Sequence, residues 1–148
     1  MNFVVHAKDT ISDLERTRND LSAAVRQLLG QLASAAYLHA RATKSFKDRT
    51  GNLRNSIQRG ERSPWALFVK AGGPGARYAK FVEEGTKAHE IRARRATFLR
   101  FEKDGEVVFR RRVFHPGTKP TRFMQSARNV AEALAEKMIE KTVNSALK

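Results

Sequence analysis

The chain has 148 residues, no cysteine, 41% hydrophobic and 30% charged residues, and a formal net charge of +14. That length suits one domain, here taken as 1–148, since halving it leaves two pieces too short for good cores; the missing cysteine excludes disulfides and thiolate metal sites. No window approaches the roughly 20 apolar residues of a membrane-spanning helix, and the excess of Lys and Arg calls for a negative partner, either nucleic acid or an acidic neighbouring protein.

The apolar start Met1, Phe3, Val4, Val5 is too short for a signal peptide, so synthesis in the cytoplasm is expected, with residues 1–8 as a flexible arm. From Asp9 to Phe46, positions Ile11, Leu14, Arg18, Leu21, Val25, Leu28, Leu32, Ala35 and His39 step by three and four. That spacing predicts one long amphipathic helix over 9–46, capped by Asp9 or Thr10. At 1.5 Å per residue it would span on the order of 55 Å, more than a domain of this size needs, which leaves part of the rod for a neighbouring subunit.

Thr50 to Ile57 breaks the pattern with Gly51 and Asn52, then sets Leu53 and Ile57 four apart, a turn and a short helix. Trp65 to Lys70 is β-prone between Pro64 and the Gly72–Gly75 loop and reads as one strand. Tyr78, Phe81 and Val82 predict a two-turn helix ending at Gly85. Thr86 to Ala96, with Lys87, Arg92, Arg94 and Arg95, reads as an exposed basic loop, and it joins residues 1–8 and 60–63 as a segment expected to order on assembly.

Runs 97–103 and 106–114 flank Asp104–Gly105, the pair that supplies the two positive φ values of a type I′ turn, and predict a hairpin in register Phe101 with Val108 and Arg100 with Phe109. Neither face of it is uniformly apolar, as expected of strands covered by a helix on one side and a partner on the other. Phe123, Ala127, Val130, Ala131, Leu134, Met138 and Val143 define a second long helix over 120–146. The fold class is α+β: a small antiparallel sheet region over 64–114 with the Asp-Gly hairpin, packed by long N-terminal and C-terminal helices and a short middle helix.

The chemistry-bearing residues do not converge. His89, His115, Glu83 and Glu84 lack the spacing of a metal site, there is no Gly-x-Ser-x-Gly elbow, and the Gly72–Gly75 loop lacks the Gly-Lys-Ser/Thr ending of a phosphate loop. No catalytic, cofactor-binding or metal residue is assigned, and the expectation is a protein without enzymatic activity.

Three segments together resemble the HK97 gp10-like family of phage head-tail proteins: Thr50-Gly51-Asn52-Leu53-Arg54-Asn55-Ser56, then Tyr78-Ala79-Lys80-Phe81-Val82-Glu83-Glu84-Gly85-Thr86, then His115-Pro116-Gly117-Thr118-Lys119-Pro120. The resemblance runs over about residues 10 to 140. It implies a structural virion protein at the head-tail junction of a tailed bacteriophage, a neck, tail-completion or head-tail joining subunit, made in the bacterial host. It further implies a homo-oligomeric ring of sixfold or twelvefold symmetry between a connector or head-closure protein and a tail terminator or tail-tube protein, with no cofactor. For the matching residues it implies architectural duties. Gly51, Gly85 and Gly117 permit special backbone conformations and Pro116 and Pro120 stiffen the entry to the last helix. Leu53, Tyr78, Phe81 and Val82 fill a core or an interface, Thr86 and His115 belong to the same turns, and Glu83 or Glu84 pairs with Arg54 or with a neighbour's arginine. The resemblance leaves the charge unexplained. Arg92, Arg94, Arg95, Arg110, Arg111 and Arg112, with Arg100 nearby, form a patch that meets either DNA in the ring's channel or an acidic partner, and a basic nucleic-acid-binding protein is the rival reading.

Overall fold

The computed structural model describes residues 7–94 and 96–146, and the expected arm therefore falls mostly outside the described residues. Helix α1 (Ala7–Ala42) is followed by α2 (Asn52–Asn55), strands β1 (Gln58–Ser63) and β2 (Ala66–Lys70), and α3 (Ala79–Glu84). Strands β3 (His89–Arg92), β4 (Leu99–Lys103), β5 (Glu106–Arg110) and β6 (Arg112–His115) precede α4 (Phe123–Ala146). The class is α+β, with three two-stranded antiparallel ladders, β1-β2, β3-β6 and β4-β5.

Over the described residues α1 runs from Ala7, so Asp9 and Thr10, expected before its start, lie within the helix. It stops at Ala42, not Phe46, because the chain turns there and the Phe46 ring enters the core edge-on to Phe123, with centroids 4.9 Å apart. Helix α1 packs along α4 and across β1 and β2, and among the described residues its buried positions lie in the second half. Ala36 and Ala40 are the buried positions, one residue away from the stripe read through Ala35 and His39. Two elements press on this half of the helix, and alanine lets both approach closely. His39 stays half-buried and shares a hydrogen bond with Ser126 Oγ of α4, at 2.9 Å. In the first half the same stripe faces solvent, with Ile11, Leu14 and Leu21 all more than half exposed.

The core is small: Phe46, Leu53, Ile57 and Phe123 with Ala36, Ala40, Ala76, Ala79 and Ala127. On α4 the stripe continues half-buried through Ala131, Leu134 and Met138, whereas Val130 is exposed and the Val143 side chain lies outside the described residues.

Several expectations for the strands are corrected. Residues 60–63, expected to order only on assembly, belong to β1, which pairs with β2 from Gln58↔Lys70 to Ser63↔Ala66 with an irregularity at Glu61 to Ser63. Residues 89–92, expected as loop, form β3 and pair with β6. The run 106–114 is not one strand: it pairs with β4 up to Arg110, then changes partner to β3 after Arg111. The β4-β5 ladder holds Phe101↔Val108 and Arg100↔Phe109 across Asp104 (φ 54°) and Gly105 (φ 85°). The strands on which a long helix packs are β1 and β2; among the described residues neither β4 nor β5 has a comparable helix contact. The Asp-Gly hairpin is thus an arm and not part of the layer under the helices.

Because Phe123 is 1% exposed and closes the core against Phe46, Phe123→Ala should cost about 3–5 kcal/mol. Phe114→Ala, at a side chain 70% exposed, should change stability by no more than about 0.5 kcal/mol. Urea unfolding of both variants, followed by circular dichroism, measures the difference.

Candidate functional site

The first motif ends α1 and starts the sheet region. Gly51 adopts a left-handed conformation before α2, and Leu53 and Ile57 are each 2% exposed. Arg54 does what the resemblance alone did not assign. Its guanidinium donates to the carbonyls of Arg41 and Thr43 at the C-terminal end of α1 and lies over the Phe46 ring. A cation against the last carbonyls of a helix satisfies orphan acceptors and complements the helix dipole. Arg54 N–H donates to Asp48 Oδ2 at 2.9 Å, while Ser56 Oγ donates to the Leu53 carbonyl and accepts from Gly72 N–H.

The second and third motifs meet. Thr86 and Thr118 exchange backbone hydrogen bonds of 3.0 Å in both directions, and their hydroxyls lie 3.1 Å apart. Gly85 (φ 74°) and Gly117 (φ 90°) flank this bridge. A Cβ on Gly85 would sit 2.5 Å from the Thr118 carbonyl oxygen, and one on Gly117 would collide with the Thr86 carbonyl. Only glycine tolerates both the backbone angles and the approach.

Beside this clasp, helices α3 and α4 cap each other. The residue before α4 is Arg122, at φ 51°, whose side chain has no acceptor for the helix's first N–H groups. Glu83 supplies it: its Oε2 accepts from Met124 N–H and its Oε1 from Gln125 N–H, both at 2.9 Å. The carboxylate also sits at the positive end of the helix dipole. In return Thr121 N–H donates to the Val82 carbonyl and Arg122 N–H to the Glu83 carbonyl, both at 3.1 Å. Glu83 therefore does not pair with Arg54, and Glu84 lies 3.9 Å from Lys80 on the surface. Val82 packs against the core, whereas Tyr78 (40% exposed) and Phe81 (58%) face outward.

The clasp is the base of an arm spanning residues 87–115. Directly beyond Thr86 and Thr118, His89 and His115 pair in register and stack with centroids 5.2 Å apart. His115 Nδ1 accepts from Gly117 N–H and His89 Nδ1 lies 2.9 Å from the Lys87 carbonyl. Both rings thus serve the turns, and no group of three or more metal-ligating side chains occurs among the described residues. Farther out, Arg92 and Arg112 lie directly opposite each other, a repulsive pairing. Glu90 sits between them, accepting two hydrogen bonds from Arg92 and lying 3.9 Å from Arg112. The hydrogen bond from Arg92, aided by the charges of both arginines, holds the Glu90 carboxyl below its ordinary range, and the same bond raises the Arg92 guanidinium. Arg110 donates to the Phe109 carbonyl and Arg111 lies over the Phe98 ring. Arg94, Arg110 and Arg111 form no ion pair among the described residues, and Arg95 lies outside them.

The Glu83 cap has a measurable signature. Glu83→Ala leaves two N–H groups at the start of α4 without their acceptor and should cost about 1–2 kcal/mol, with Glu83→Gln losing less because it keeps one acceptor oxygen. Glu84→Ala removes only an exposed ion pair and should fall within about 0.5 kcal/mol of the parent. Equal losses at the two positions in urea titrations would show that the cap carries no stability.

A family model described as "Bacteriophage HK97-gp10, putative tail-component" matches residues 7–85, from the start of α1 to the glycine of the second motif. The chain matches no curated protein and no solved structure. No helix among the described residues is long and apolar enough to cross a membrane. With more than half of its length matched, and with both motifs inside that span engaged in specific caps and turns, the chain belongs to the HK97 gp10-like family of bacteriophage tail components.

Proposed function

We propose that this protein is a structural, non-enzymatic ring subunit of the head-tail junction, a neck, tail-completion or head-tail joining protein. It sits in the virion between the connector or head-closure protein and the tail terminator or tail-tube protein. The observation that carries this reading is the mismatch, among the described residues, between a core of nine side chains, five of them alanine, and the apolar surface left outside. Ile11 (55% exposed), Leu14 (65%) and Leu21 (64%) run along the first half of α1 and stay exposed to solvent. Burying such side chains is favourable by about 1.5–3 kcal/mol each, so a partner surface over this rod gains several kcal/mol without any change in the fold.

Exposed apolar groups also sit on other elements, Ile139 on α4, Phe81 on α3 and Phe109 and Phe114 on the arm. A surface that meets a different surface on the next copy is heterologous, and such contacts close into rings when the rotation permits. Two rings stacked above and below then supply the remaining partners.

Leu14→Asp with Leu21→Asp tests this. The double variant should keep the parent's circular dichroism and urea midpoint, because neither side chain is in the core, yet lose assembly in native mass spectrometry and negative-stain images recorded with purified connector protein. It should also fail to join purified heads to tails. A parent protein that stays strictly monomeric, both alone and with connector proteins, would sink the ring.

A further inference from the structure

The net charge is not spread evenly. Residues 1–40 hold four basic and four acidic side chains, whereas residues 87–115 hold nine basic against four acidic. The apolar rod is electrically neutral and the arm is basic, so the two surfaces suit partners of different kinds.

Within the arm the arrangement is regular. Side chains on a strand alternate between faces, and the β4-β5 register sorts them. Leu99, Phe101 and Val108 share one face and are half-buried. The opposite face carries Arg100 across from Phe109 and, one pair farther along, Phe98 with the Arg111 guanidinium over its ring at 5.6 Å. Phe98 is 46% exposed and Phe109 54%. Arginine and phenylalanine thus alternate both along and across one open face of a two-stranded ribbon. Of the arm's acidic groups, Glu102 follows Arg100 on this same face toward the turn, Glu90 is engaged with Arg92 and Arg112, and Asp104 and Glu106 are at the hairpin turn.

We propose that this face binds DNA without regard to sequence, Arg100 and Arg111 meeting backbone phosphates and Phe98 and Phe109 lying against sugars or unstacked bases. Arginine's planar fork matches phosphate bidentately, and a basic surface interleaved with aromatics tracks a nucleic-acid strand while reading no base edges. An acidic protein would meet the guanidinium groups equally well. What favours DNA is the pair of exposed rings, Phe98 and Phe109, set among those guanidinium groups, which suit the flat faces of sugars and bases. The inference rests on the head-tail reading only for the source of the DNA; the binding itself is a property of the isolated chain.

Fluorescence anisotropy with labelled DNA of mixed sequence, duplex in one arm and single-stranded in the other, tests it across a salt series. The parent should bind at low salt, with log K falling against log salt at a slope of about −2 to −4, as for two to four neutralised phosphates. Arg100→Glu with Arg111→Glu should weaken binding by about tenfold or more. Lys137→Glu with Lys141→Glu makes the same charge change on α4 and should weaken it by less than about threefold. Phe98→Ala with Phe109→Ala should weaken the single-stranded arm more than the duplex arm. Equal losses in the two charge-reversal variants overturn the proposal, since net charge alone would then account for binding. Absence of parent binding in both arms, combined with loss of head-tail joining in Arg100→Glu with Arg111→Glu, also overturns it and assigns the face to an acidic protein. DNA binding that persists in a chain unable to form rings would leave this inference standing and remove the ring.

Discussion

The carboxylate of Glu83 on the first N–H groups of α4 is the contact on which the remaining architecture depends. A helix that starts at a left-handed arginine has no local acceptor for those groups, and leaving them dry costs about 1–3 kcal/mol each. Glu83 reaches them only because the end of α3 is held beside residues 118–122 by the Thr86-Thr118 bridge and by Thr121 and Arg122 donating to the carbonyls of Val82 and Glu83. That approach in turn admits no side chain at Gly85 or Gly117. Cap, bridge and glycines form one unit, and it aims α4 along the second half of α1, where Phe123 and Ala127 complete the core.

Arg54 performs the complementary task at the other end of the path. It ties the last carbonyls of α1 to the α2 turn, so the direction in which α1 leaves the core is fixed where its partners lie. The far half of the helix then extends as a rod whose apolar stripe is continuous with the packed stripe. A helix of this length is stable mainly through tertiary packing of its apolar face, and here Ile11, Leu14 and Leu21 of that face stay exposed. Assembly over these exposed side chains would therefore both join subunits and stabilise the helix, a coupling by mass action.

The sequence made the long periodic elements legible and left the long-range partners hidden. Helices α1 and α4 were readable because their apolar residues recur at three and four over many turns, although the buried positions Ala36 and Ala40 fall beside the stripe that the larger residues mark. Strand β1, Gln-Arg-Gly-Glu-Arg-Ser, has no alternation to read, since it is exposed on both faces apart from Gly60. Strand β3 is exposed throughout for the same reason. The change of partner at Arg111 was invisible because β5 and β6 follow each other without a turn residue. The glycines of the motifs were recognisable as backbone positions, but the partner of Glu83 lies 41 residues away. One signal could have found it: α4 opens on Thr-Arg-Phe-Met with no Ser, Asp or Asn in the capping position, so an acceptor had to come from elsewhere.

The family match ends at Gly85, halfway through the clasp. Within the matched part, Glu83 and Gly85 both face partners between residues 117 and 125, and the packed half of α1 faces α4. The matched segment thus holds groups whose counterparts lie beyond it, and neither side of the clasp has its own caps. Residues 87–115 stand differently. They leave and re-enter through one closed base at Thr86 and Thr118, so their length and charge can change while the base geometry stays as it is, at a loop-closure cost that grows only slowly with length. Such an arm can carry a surface chemistry unrelated to the core beneath it, and here that surface is the arginine and phenylalanine face of the β4-β5 ribbon.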